Sequence, residues 1–341
     1  MHVVAPHDAG AAGEECLVGV HVHRFHYAWP ARLEVLAHRG GILSALREPA
    51  RLLLVPPFLV AYLVATFRQT RALRPDVLHA HWWFPGGVVA AIASRVTGTP
   101  LVVTLHGSDV HIAERPGLRT LARLTLRRAR IVGVVSEALR RDASALLDVP
   151  TDKLVVLRMP VQMPVPSSIG APPDPPPLRL VAVGRLAREK GYGVLLDALQ
   201  QLDAVELDVF GDGPEAAQLR AQAAPLGDRV RFHGVRTRAE IAETLVRAHA
   251  LVAPSLREGL GLVALEALAL GRPVVASGIG GLVETVTHGD DGILVPPGDA
   301  GALADALRRL PLPSPKAEAV ERHRPGAVAR AHIEAYERAR S

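Results

Sequence analysis

Hydrophobic and polar positions alternate in blocks along this chain, with short Val/Ile/Leu runs separated by longer stretches of helical spacing. The runs predict strands at 2–5, 18–25, 76–80, 101–105, 131–135 and 153–157, and again at 178–183, 205–210, 229–232, 250–253, 273–276 and 292–295. Helices are predicted at 88–96, 195–201, 214–224, 238–249 and 261–270. Runs such as LVVTL and LVAVG are apolar on both sides, which is typical of parallel strands covered on both faces. The pattern therefore predicts an α/β fold built from two doubly wound sheets.

A proline-rich segment separates the two series of strands. Residues 159–177 read MPVQMPVPSSIGAPPDPPP, and proline both fixes φ and lacks the N–H donor, so a regular element is excluded. We expect an N-terminal domain at 1–158, a stiff linker at 159–177, a second domain at 178–325 and a C-terminal helix at 326–341. Ligands of such sheets bind beyond the carboxyl ends of the strands, so the candidate chemistry lies there, facing a cleft.

Composition narrows the partners. The 341 residues carry 39 Lys and Arg against 34 Asp and Glu, a net charge of +5, which permits anionic partners. A single cysteine, Cys16, excludes an internal disulfide framework and a cysteine-based zinc site, and it fits a reducing cytosol. Aromatic residues make up only 4% and do not alternate with the arginines, so we expect no nucleic-acid partner.

Two stretches bear on membranes. The apolar run between Arg51 and Arg68 is shorter than the roughly 20 residues that a spanning helix needs. It predicts either a buried helix at 58–67 or an interfacial helix lying on a membrane. On the predicted helix that follows residue 115, arginines recur every four residues at 115, 119, 123 and 127. This basic face is either solvated or in peripheral contact with anionic headgroups on the cytoplasmic side.

The most informative motif is SLREGLGLVALEALALGRP at 255–273. Glu258 lies in the turn after a strand, and Gly259 and Gly261 leave the N–H groups of the following helix free to approach an anion. Glu266 lies in an otherwise apolar helix, where an ionised carboxylate is costly unless something polar binds it. The alternative is a solvated glutamate on an outer face, but its helical neighbours leave little polar surface.

Three further motifs also follow strands. VGRLAREKG places Arg185 and Lys190 five residues apart, which suits a diphosphate, although surface charge is the plain alternative. FGDGP at 210–214 is a tight turn. TLHGSD places His106 where it can bond a sugar hydroxyl or a phosphate, unless it is a structural histidine.

Metal ligation has little support in the sequence. His21 and His23, like His79 and His81, are two residues apart on predicted strands, so each pair shares a face. No third ligand accompanies either pair, and we expect no metal site.

In this order, the blocks HGSD, GRLAREKG, FGDGP, EGLGLVALEALALGRPVVAS and GGLVETVTHGDDGILVPPGD resemble the family-4 retaining glycosyltransferases of the GT-B fold. The resemblance covers residues 3–295 and is strongest after 178. It implies transfer of a sugar from a nucleotide-diphosphate sugar, with retention of configuration, no enzyme nucleophile and no obligatory cofactor or metal. It also implies a sugar or lipid-linked acceptor and a C-terminal helix that packs back on the first domain.

The resemblance also implies the roles of individual residues. Arg185 and Lys190 would neutralise the diphosphate, Glu266 would bind the ribose, and His106 and Glu258 would be the catalytic residues facing the sugar. The remaining donor-binding positions are Gly184, Gly211, Val235, Gly259, Leu260, Gly261 and Leu262, with the base near Val235.

One departure stands against the resemblance. Members of the family usually begin with a strand, a glycine-rich loop and a long helix before the segment that MHVVAPHD resembles. We therefore expect the first sheet to be incomplete at its start. This leaves two alternatives open beside a transferase: a non-catalytic nucleotide-sugar binding remnant, and a GT-B nucleotide-sugar epimerase.

Overall fold

The computed structural model describes residues 1–8, 10–36, 49–164, 174–315 and 317–341. The strands are β1 His2–Pro6, β2 Glu14–Leu17, β3 Val20–Phe25, β4 Leu78–His81, β5 Leu101–Leu105, β6 Ile131–Val134, β7 Leu154–Val156, β8 Leu178–Val183, β9 Val205–Phe210, β10 Val230–Gly234, β11 Ala250–Ala253, β12 Val274–Ser277 and β13 Gly292–Val295. The helices are α1 Pro49–Leu52, α2 Val55–Leu73, α3 Val88–Thr97, α4 Ser108–Ile112, α5 Pro116–Arg128, α6 Glu137–Leu147, α7 Tyr192–Leu199, α8 Ala216–Ala223, α9 Arg238–Leu245, α10 Leu262–Ala269, α11 Leu282–Thr285, α12 Ala300–Arg308 and α13 Pro325–Arg340.

The C-terminal half is a parallel six-stranded sheet in the order β10-β9-β8-β11-β12-β13. This is the doubly wound order, with its switch point between β8 and β11. Successive side chains point to opposite faces, so Leu180 and Leu207 join one buried cluster while Val181 and Leu251 join another. The predicted bounds of β8, β9, β11 and β13 are confirmed.

The N-terminal half contains two sheets, which corrects the expectation of one. Strands β4-β5-β6-β7 form a parallel sheet, and β1-β3-β2 form a separate one in which β2 runs antiparallel to β3. The hairpin strand β2 was not predicted. Three of its four residues are exposed, so it shows no alternation of apolar and polar positions. Strand β3 begins at Val20 rather than Val18, because Val18 and Gly19 form the turn with positive φ.

Helix α2 is longer than predicted and less buried. It runs from Val55 to Leu73, and only Phe58, Thr66 and Thr70 are fully buried. Phe58 packs edge-on against Phe25 of the small sheet, with ring centroids 5.5 Å apart. Because the run is apolar on every side, its sequence did not show which face packs. Among the described residues, no helix is long and apolar enough to cross a membrane.

Helices cover both faces of the β4–β7 sheet. Helices α3 and α5 pack on Leu101 and Val103 of β5, whereas α13 packs Ala335 and Ala339 on Val102, the residue between them. The start of the proline-rich segment is tied to the chain just before α13, because the Val161 N–H donates to the carbonyl of His323 at 2.8 Å. The rest of the predicted linker, 165–173, lies outside the described residues.

Candidate active site

The loops that follow β8, β9 and β10 are joined by backbone hydrogen bonds. The N–H of Gly184 donates to Phe210 O at 2.9 Å, and the N–H of Gly211 donates to Gly234 O at 2.7 Å. Gly211 has φ +126°, and a Cβ placed there would lie 2.0 Å from the carbonyl oxygen of Gly184, so only glycine fits. The carboxyl edge of this sheet therefore presents closely packed backbone to a ligand.

Lys190 and Glu258 form an ion pair at this edge. The Nζ of Lys190 lies 2.6 Å from Oε2 of Glu258, which also accepts a 3.2 Å hydrogen bond from Ser255 Oγ. Their side chains are 28% and 16% exposed. The two loops meet because the Leu256 N–H donates to Glu189 O at 2.8 Å. The structure thus brings together two predicted site residues that are 68 positions apart in the chain.

Arg185 lies in the same loop but is oriented differently. Its guanidinium is 60% exposed and is paired with Glu189, four residues on. Both cations predicted to bind a diphosphate therefore already hold a carboxylate. An incoming phosphate would have to displace Glu189 from Arg185 and Glu258 from Lys190.

The Gly259–Leu262 turn connects the two halves. Leu260 is buried in the cluster formed mainly by the N-terminal half, and Leu262 packs against the same cluster. Gly261 has φ +83° and caps the start of α10. The turn is fixed from the other side by Thr285, whose Oγ1 donates to Leu260 O at 2.9 Å.

Glu266 lies one turn into α10 and is not a solvated outer-face residue. Its side chain is 12% exposed, and Oε1 accepts a 2.8 Å bond from Arg238. Burial raises the pKa of Glu266, and Arg238 opposes that shift. Arg238 begins α9, just after the loop that carries Val235, which is 76% exposed. The contact with Arg238 therefore links Glu266 to the loop that carries Val235.

His106 lies at the end of β5 and contacts a second histidine. Its Nε2 is 3.0 Å from Nδ1 of His81, at the end of the neighbouring strand. Burial, with the proximity of His81, lowers the pKa of His106 to about 4. The ring is therefore neutral at pH 7. Because Nε2 is engaged by His81, Nδ1 is the nitrogen that can bond a ligand, and a neutral ring suits a sugar hydroxyl better than a phosphate.

Direct contacts join the N-terminal half to the Glu258 loop. A Cβ on Gly107 would lie 3.0 Å from Cα of Gly259, so the two backbones touch. Ser136 Oγ donates to Gly259 O at 2.7 Å. Glu284 accepts hydrogen bonds from the N–H groups of Glu137 and Ala138, at 2.9 and 2.6 Å. The predicted residues His106 and Glu258 therefore lie in two loops that pack on one another.

A cavity of about 450 Å³ opens where these loops meet. Both halves contribute to its lining, which comprises His111, Ala138, Arg141, Asp142, Arg257, Glu258, Ile279 and Gly280. Glu258 is the predicted site residue in that lining. The cavity is large enough for a sugar and its acceptor group.

The histidine pairs share faces as predicted. The rings of His79 and His81 are 4.5 Å apart, and His21 and His23 both stack on His2. Within the described ranges, the group whose ligand atoms lie close enough to hold a metal is a different one: His7, His26 and Glu34, within 4.8 Å.

Hydrogen bonds already satisfy the Glu34 carboxylate of that group. Oε2 is 2.6 Å from Nδ1 of His7, and Oε1 accepts the N–H of Tyr27 at 2.7 Å. Burial raises the pKa of Glu34, but the hydrogen bonds outweigh it and the net shift is downward. The cluster thus has a structural explanation that needs no ion.

Sequence reasoning missed the partners of the predicted residues. Glu189, Arg238 and His81 each contact one of them, and Glu284 joins the two halves. Two of these partners lie inside motifs that the sequence analysis quoted. Glu189 is next to the predicted cation Lys190, and Glu284 precedes a glycine-rich turn, so both could have been noticed. Arg238 carried no such signal.

Comparison with known proteins gives relatives across most of the chain. A 2-deoxystreptamine N-acetyl-D-glucosaminyltransferase of Streptomyces fradiae is 33% identical over 283 residues, covering 73% of this chain and 66% of that protein. A D-inositol 3-phosphate glycosyltransferase of Frankia alni is 32% identical over 297 residues, covering 75% and 71%. The chain thus spans just under two thirds of the Streptomyces fradiae relative and somewhat more of the Frankia alni one.

Solved structures show the same fold. Sucrose-phosphate synthase from Thermosynechococcus elongatus matches with a TM-score of 0.72 at 22% identity, covering 99% of this chain and 83% of that one. Anabaena HepE in complex with UDP-glucose matches with a TM-score of 0.66 at 20% identity, covering 99% and 95%.

Two α/β halves whose carboxyl-end loops meet over a cavity define the GT-B class of protein. Family models match both halves: a glycosyl transferase 4-like domain over residues 1–160 and glycosyl transferases group 1 over residues 177–311. The chain belongs to this family of glycosyl transferases, with the group 1 model covering the half that carries Lys190, Glu258 and Glu266.

Proposed function

We propose that this protein is a retaining glycosyltransferase that moves a sugar from a nucleotide-diphosphate sugar to an acceptor. The observation that carries the proposal is the Lys190–Glu258 pair, which lies in a loop packed against the His106–Gly107 turn of the other half. A cation, a carboxylate and a neutral imidazole thus line the region between the two halves. Family membership and the GT-B fold support the same assignment.

In this proposal Lys190 and Arg185 stabilise the leaving diphosphate. Negative charge develops on it as the glycosidic bond breaks, and fixed cations in a partly buried site stabilise that charge more than water does. Donor binding replaces the carboxylates that these cations hold in the ligand-free structure. Glu258, released from Lys190, then accepts hydrogen bonds from hydroxyls of the transferred sugar.

The rest of the donor is held along α10. The N–H groups of the Gly259–Leu262 turn approach the phosphates, with Gly184 and Gly211 leaving room on the opposite side. Glu266 binds the ribose hydroxyls, and the base lies near Val235. The half-buried position of Glu266 supports this role, because its burial disfavours the charged form and a diol would stabilise it.

The reaction proceeds on one face of the sugar. The leaving diphosphate and the attacking hydroxyl share that face, so configuration is retained without an enzyme nucleophile, and no metal is required. His106, neutral at pH 7, positions the sugar from the N-terminal half through a hydrogen bond. A UDP-sugar donor is a reasonable first choice, since HepE was solved with UDP-glucose.

The acceptor is a sugar or a lipid-linked sugar that enters the 450 Å³ cavity. The relatives named above glycosylate unlike acceptors, an aminocyclitol and an inositol phosphate, so their names do not choose among acceptors. The lone, exposed Cys16 supports action in the cytosol.

In this proposal the two halves divide the work at the boundaries that the sequence predicts. Residues 1–158 form the acceptor side, 159–177 the linker and 178–325 the donor side, while 326–341 return to the acceptor side. The hydrogen bond from Tyr336 of α13 to His79 of β4, at 2.8 Å, supports that return.

Release of the nucleoside diphosphate with a panel of donors and acceptors tests the proposal. We expect Lys190→Ala, Glu258→Ala and Glu266→Ala each to lower kcat/KM, with Lys190→Ala costing on the order of 100-fold or more because it removes charge stabilisation of the leaving group. Arg309→Ala and Glu243→Ala are matched controls: both residues are exposed and lie outside the motifs that carry the site.

Unchanged turnover in all three site variants would reject the assignment. Donor binding by calorimetry without transfer to any acceptor would instead indicate a binding remnant. Conversion of the donor alone to an epimerised sugar would indicate an epimerase.

A further inference from the structure

Three packed helices of the N-terminal half carry no acidic residue. They are α2, α3 and α5, and their only charged side chains are Arg68, Arg71, Arg95, Arg119, Arg123, Arg127 and Arg128. The helices are neighbours: the Arg128 guanidinium donates to Ser94 O of α3 at 3.0 Å, and Tyr62 of α2 approaches Gly86 just before α3. We call this surface of α2, α3 and α5 the acid-free face.

Apolar side chains on the acid-free face are exposed to water. They are Val60 (62% exposed) and Val64 (49%) on α2, Ile92 (46%) and Val96 (65%) on α3, and Leu124 (59%) on α5. Single exposed apolar residues are ordinary, but a group spread over three adjacent helices marks an interaction surface.

Several exposed arginines of the face lack an ionic partner among the described residues, and one of them, Arg71, lies over the Phe67 ring with Cζ 5.7 Å from its centroid. Arg68, Arg71, Arg95 and Arg127 are exposed, and none of them forms an ion pair with a described residue, whereas Arg123 pairs with Asp148 at 2.8 Å. The helix dipole favours cations in a last turn, and this explains the placement of Arg71, Arg95 and Arg127. It does not explain why apolar side chains are exposed beside them.

We propose that the acid-free face docks this protein on an anionic lipid surface, with Val60, Val64, Ile92, Val96 and Leu124 entering the headgroup region and the arginines contacting the phosphates. Exposed apolar groups flanked by cations are the pattern of interfacial binding. A second copy of the chain is disfavoured as the occupant, because it would bring the same unpaired arginines face to face.

Helix α5 connects the acid-free face to the cavity along the chain. Helix α5 begins at Pro116, a few residues after His111, which lines the cavity. A lipid-linked sugar could then reach the cavity while its tail stays in the bilayer. This last step rests on the proposed function, but the docking itself does not, so vesicle binding and sugar transfer test the two separately.

Flotation with vesicles of 7:3 phosphatidylcholine and phosphatidylglycerol, against vesicles of phosphatidylcholine alone, tests the docking. We expect the full chain to float with the anionic vesicles and to be released at high salt. The variant Arg68→Gln/Arg71→Gln/Arg127→Gln should bind roughly a hundredfold more weakly, since each cation near an anionic surface contributes about fivefold. The variant Val60→Ser/Val64→Ser should bind at least tenfold more weakly.

The control Arg309→Gln/Arg330→Gln/Arg338→Gln removes the same charge from α13 and the end of α12, where these exposed arginines form no ion pair with a described residue. It should bind vesicles as the parent does. Equal weakening in this control, equal binding to neutral vesicles, or no binding by the parent would overturn the proposal. So would a dimer in sedimentation velocity that Val60→Ser/Val64→Ser abolishes without any vesicle binding.

Discussion

At the scale of single residues, Asp109 organises the turn that carries His106. Its Oδ1 accepts the N–H groups of His106, Gly107 and Val110 at 3.0, 2.9 and 3.1 Å, while Oδ2 is buried without a hydrogen-bond partner. Burial raises the pKa of Asp109 to about 6, although those N–H bonds oppose the shift. The oxygen acceptor of Asp109 therefore stabilises the turn, whereas the buried negative charge lowers the stability of the folded state.

Substitution separates the two properties. Asp109→Asn keeps an oxygen for the three N–H groups without a charge, so we expect a free energy of unfolding at pH 7 equal to or above that of the parent. Asp109→Ala leaves the N–H groups of His106 and Gly107 without that acceptor, while Val110 N–H keeps its bond to Gly107 O, and it should lower the free energy of unfolding by about 2–3 kcal/mol. Urea titration followed by circular dichroism measures both, and a larger loss for Asn than for Ala would contradict this account.

Sequence alone singled out the candidate site residues but not the contacts that they form. Lys190 and Glu258 could be singled out because each follows a strand in a glycine-containing motif, and such turns meet at one edge of a parallel sheet. Lys190 pairs with Glu258 and not with an acid near it in the chain. The two residues are 68 positions apart, so their contact depends on how the two loops fold together. The Arg238–Glu266 contact likewise joins two helices, and nothing local to Arg238 indicated it.

At the scale of elements, the N-terminus of α6 is capped from both halves of the molecule. Ser136 is its N-cap and accepts the N–H of Leu139 at 3.1 Å, while Glu284 of α11 accepts the next two N–H groups, those of Glu137 and Ala138. A carboxylate at a helix N-terminus also gains from the helix dipole. This capping interaction joins the two halves beside the ion pair of Arg257 and Glu114, whose Nη1 and Oε1 atoms are 3.5 Å apart.

Removing the carboxylate should loosen that junction. We expect Glu284→Ala to lower the free energy of unfolding by about 1–2 kcal/mol and Glu284→Gln to lower it by less, since the amide oxygen can still accept. Hydrogen exchange of the Glu137 and Ala138 amides should rise in Glu284→Ala. Glu334→Ala, on the exposed side of α13, is the control and should change neither quantity.

The bounds of an element could be predicted from the sequence where a strand is buried on both faces of its sheet. Strands β5 (LVVTL) and β11 (ALVA) read as nearly continuous apolar runs, and their predicted bounds agree with the observed ones. Strand β2 is a mostly exposed hairpin strand with two glutamates, so its pairing comes from β3 and not from its own pattern. The face on which α2 packs was equally unreadable, since apolar residues surround its first three turns.

At the scale of the whole molecule, a histidine cluster ties α13 to the edge of the site. His79 bonds Tyr336 of α13 and Thr104 of β5, both at 2.8 Å, and stacks near His81, which bonds His106. Burial, reinforced by the neighbouring histidines, lowers the pKa of His79 to about 3. The rings are packed in their neutral form, so their protonation at low pH would destabilise the cluster.

Acidification should therefore destabilise the fold through this cluster. In the folded protein the pKa values of His79 and His106 lie below the ordinary 6.5. Above pH 6.5 both residues are neutral in the folded and unfolded states, so they do not change the free energy of unfolding. Below pH 6.5 the unfolded chain binds protons that the folded chain does not bind, and the free energy of unfolding falls. By pH 5 His79 should have cost roughly 1–2 kcal/mol of unfolding free energy.

The variant His79→Gln tests that contribution. It should lose less stability than the parent between pH 7 and pH 5 in urea titrations, because it has one group fewer to protonate. Parallel curves for His79→Gln and the parent would show that His79 does not titrate as its burial requires.

The backbones of Gly107 and Gly259 touch, so there is no room for a side chain between the two halves at this contact. A methyl group on Gly259 would lie 2.5 Å from the carbonyl oxygen of His106, so alanine there would act as a wedge. The wedge would push the imidazole away from the Glu258 carboxylate without altering either group. Engineering that varies these two loops to change the choice of acceptor should therefore keep both glycines, because they set the distance between the two halves at this contact.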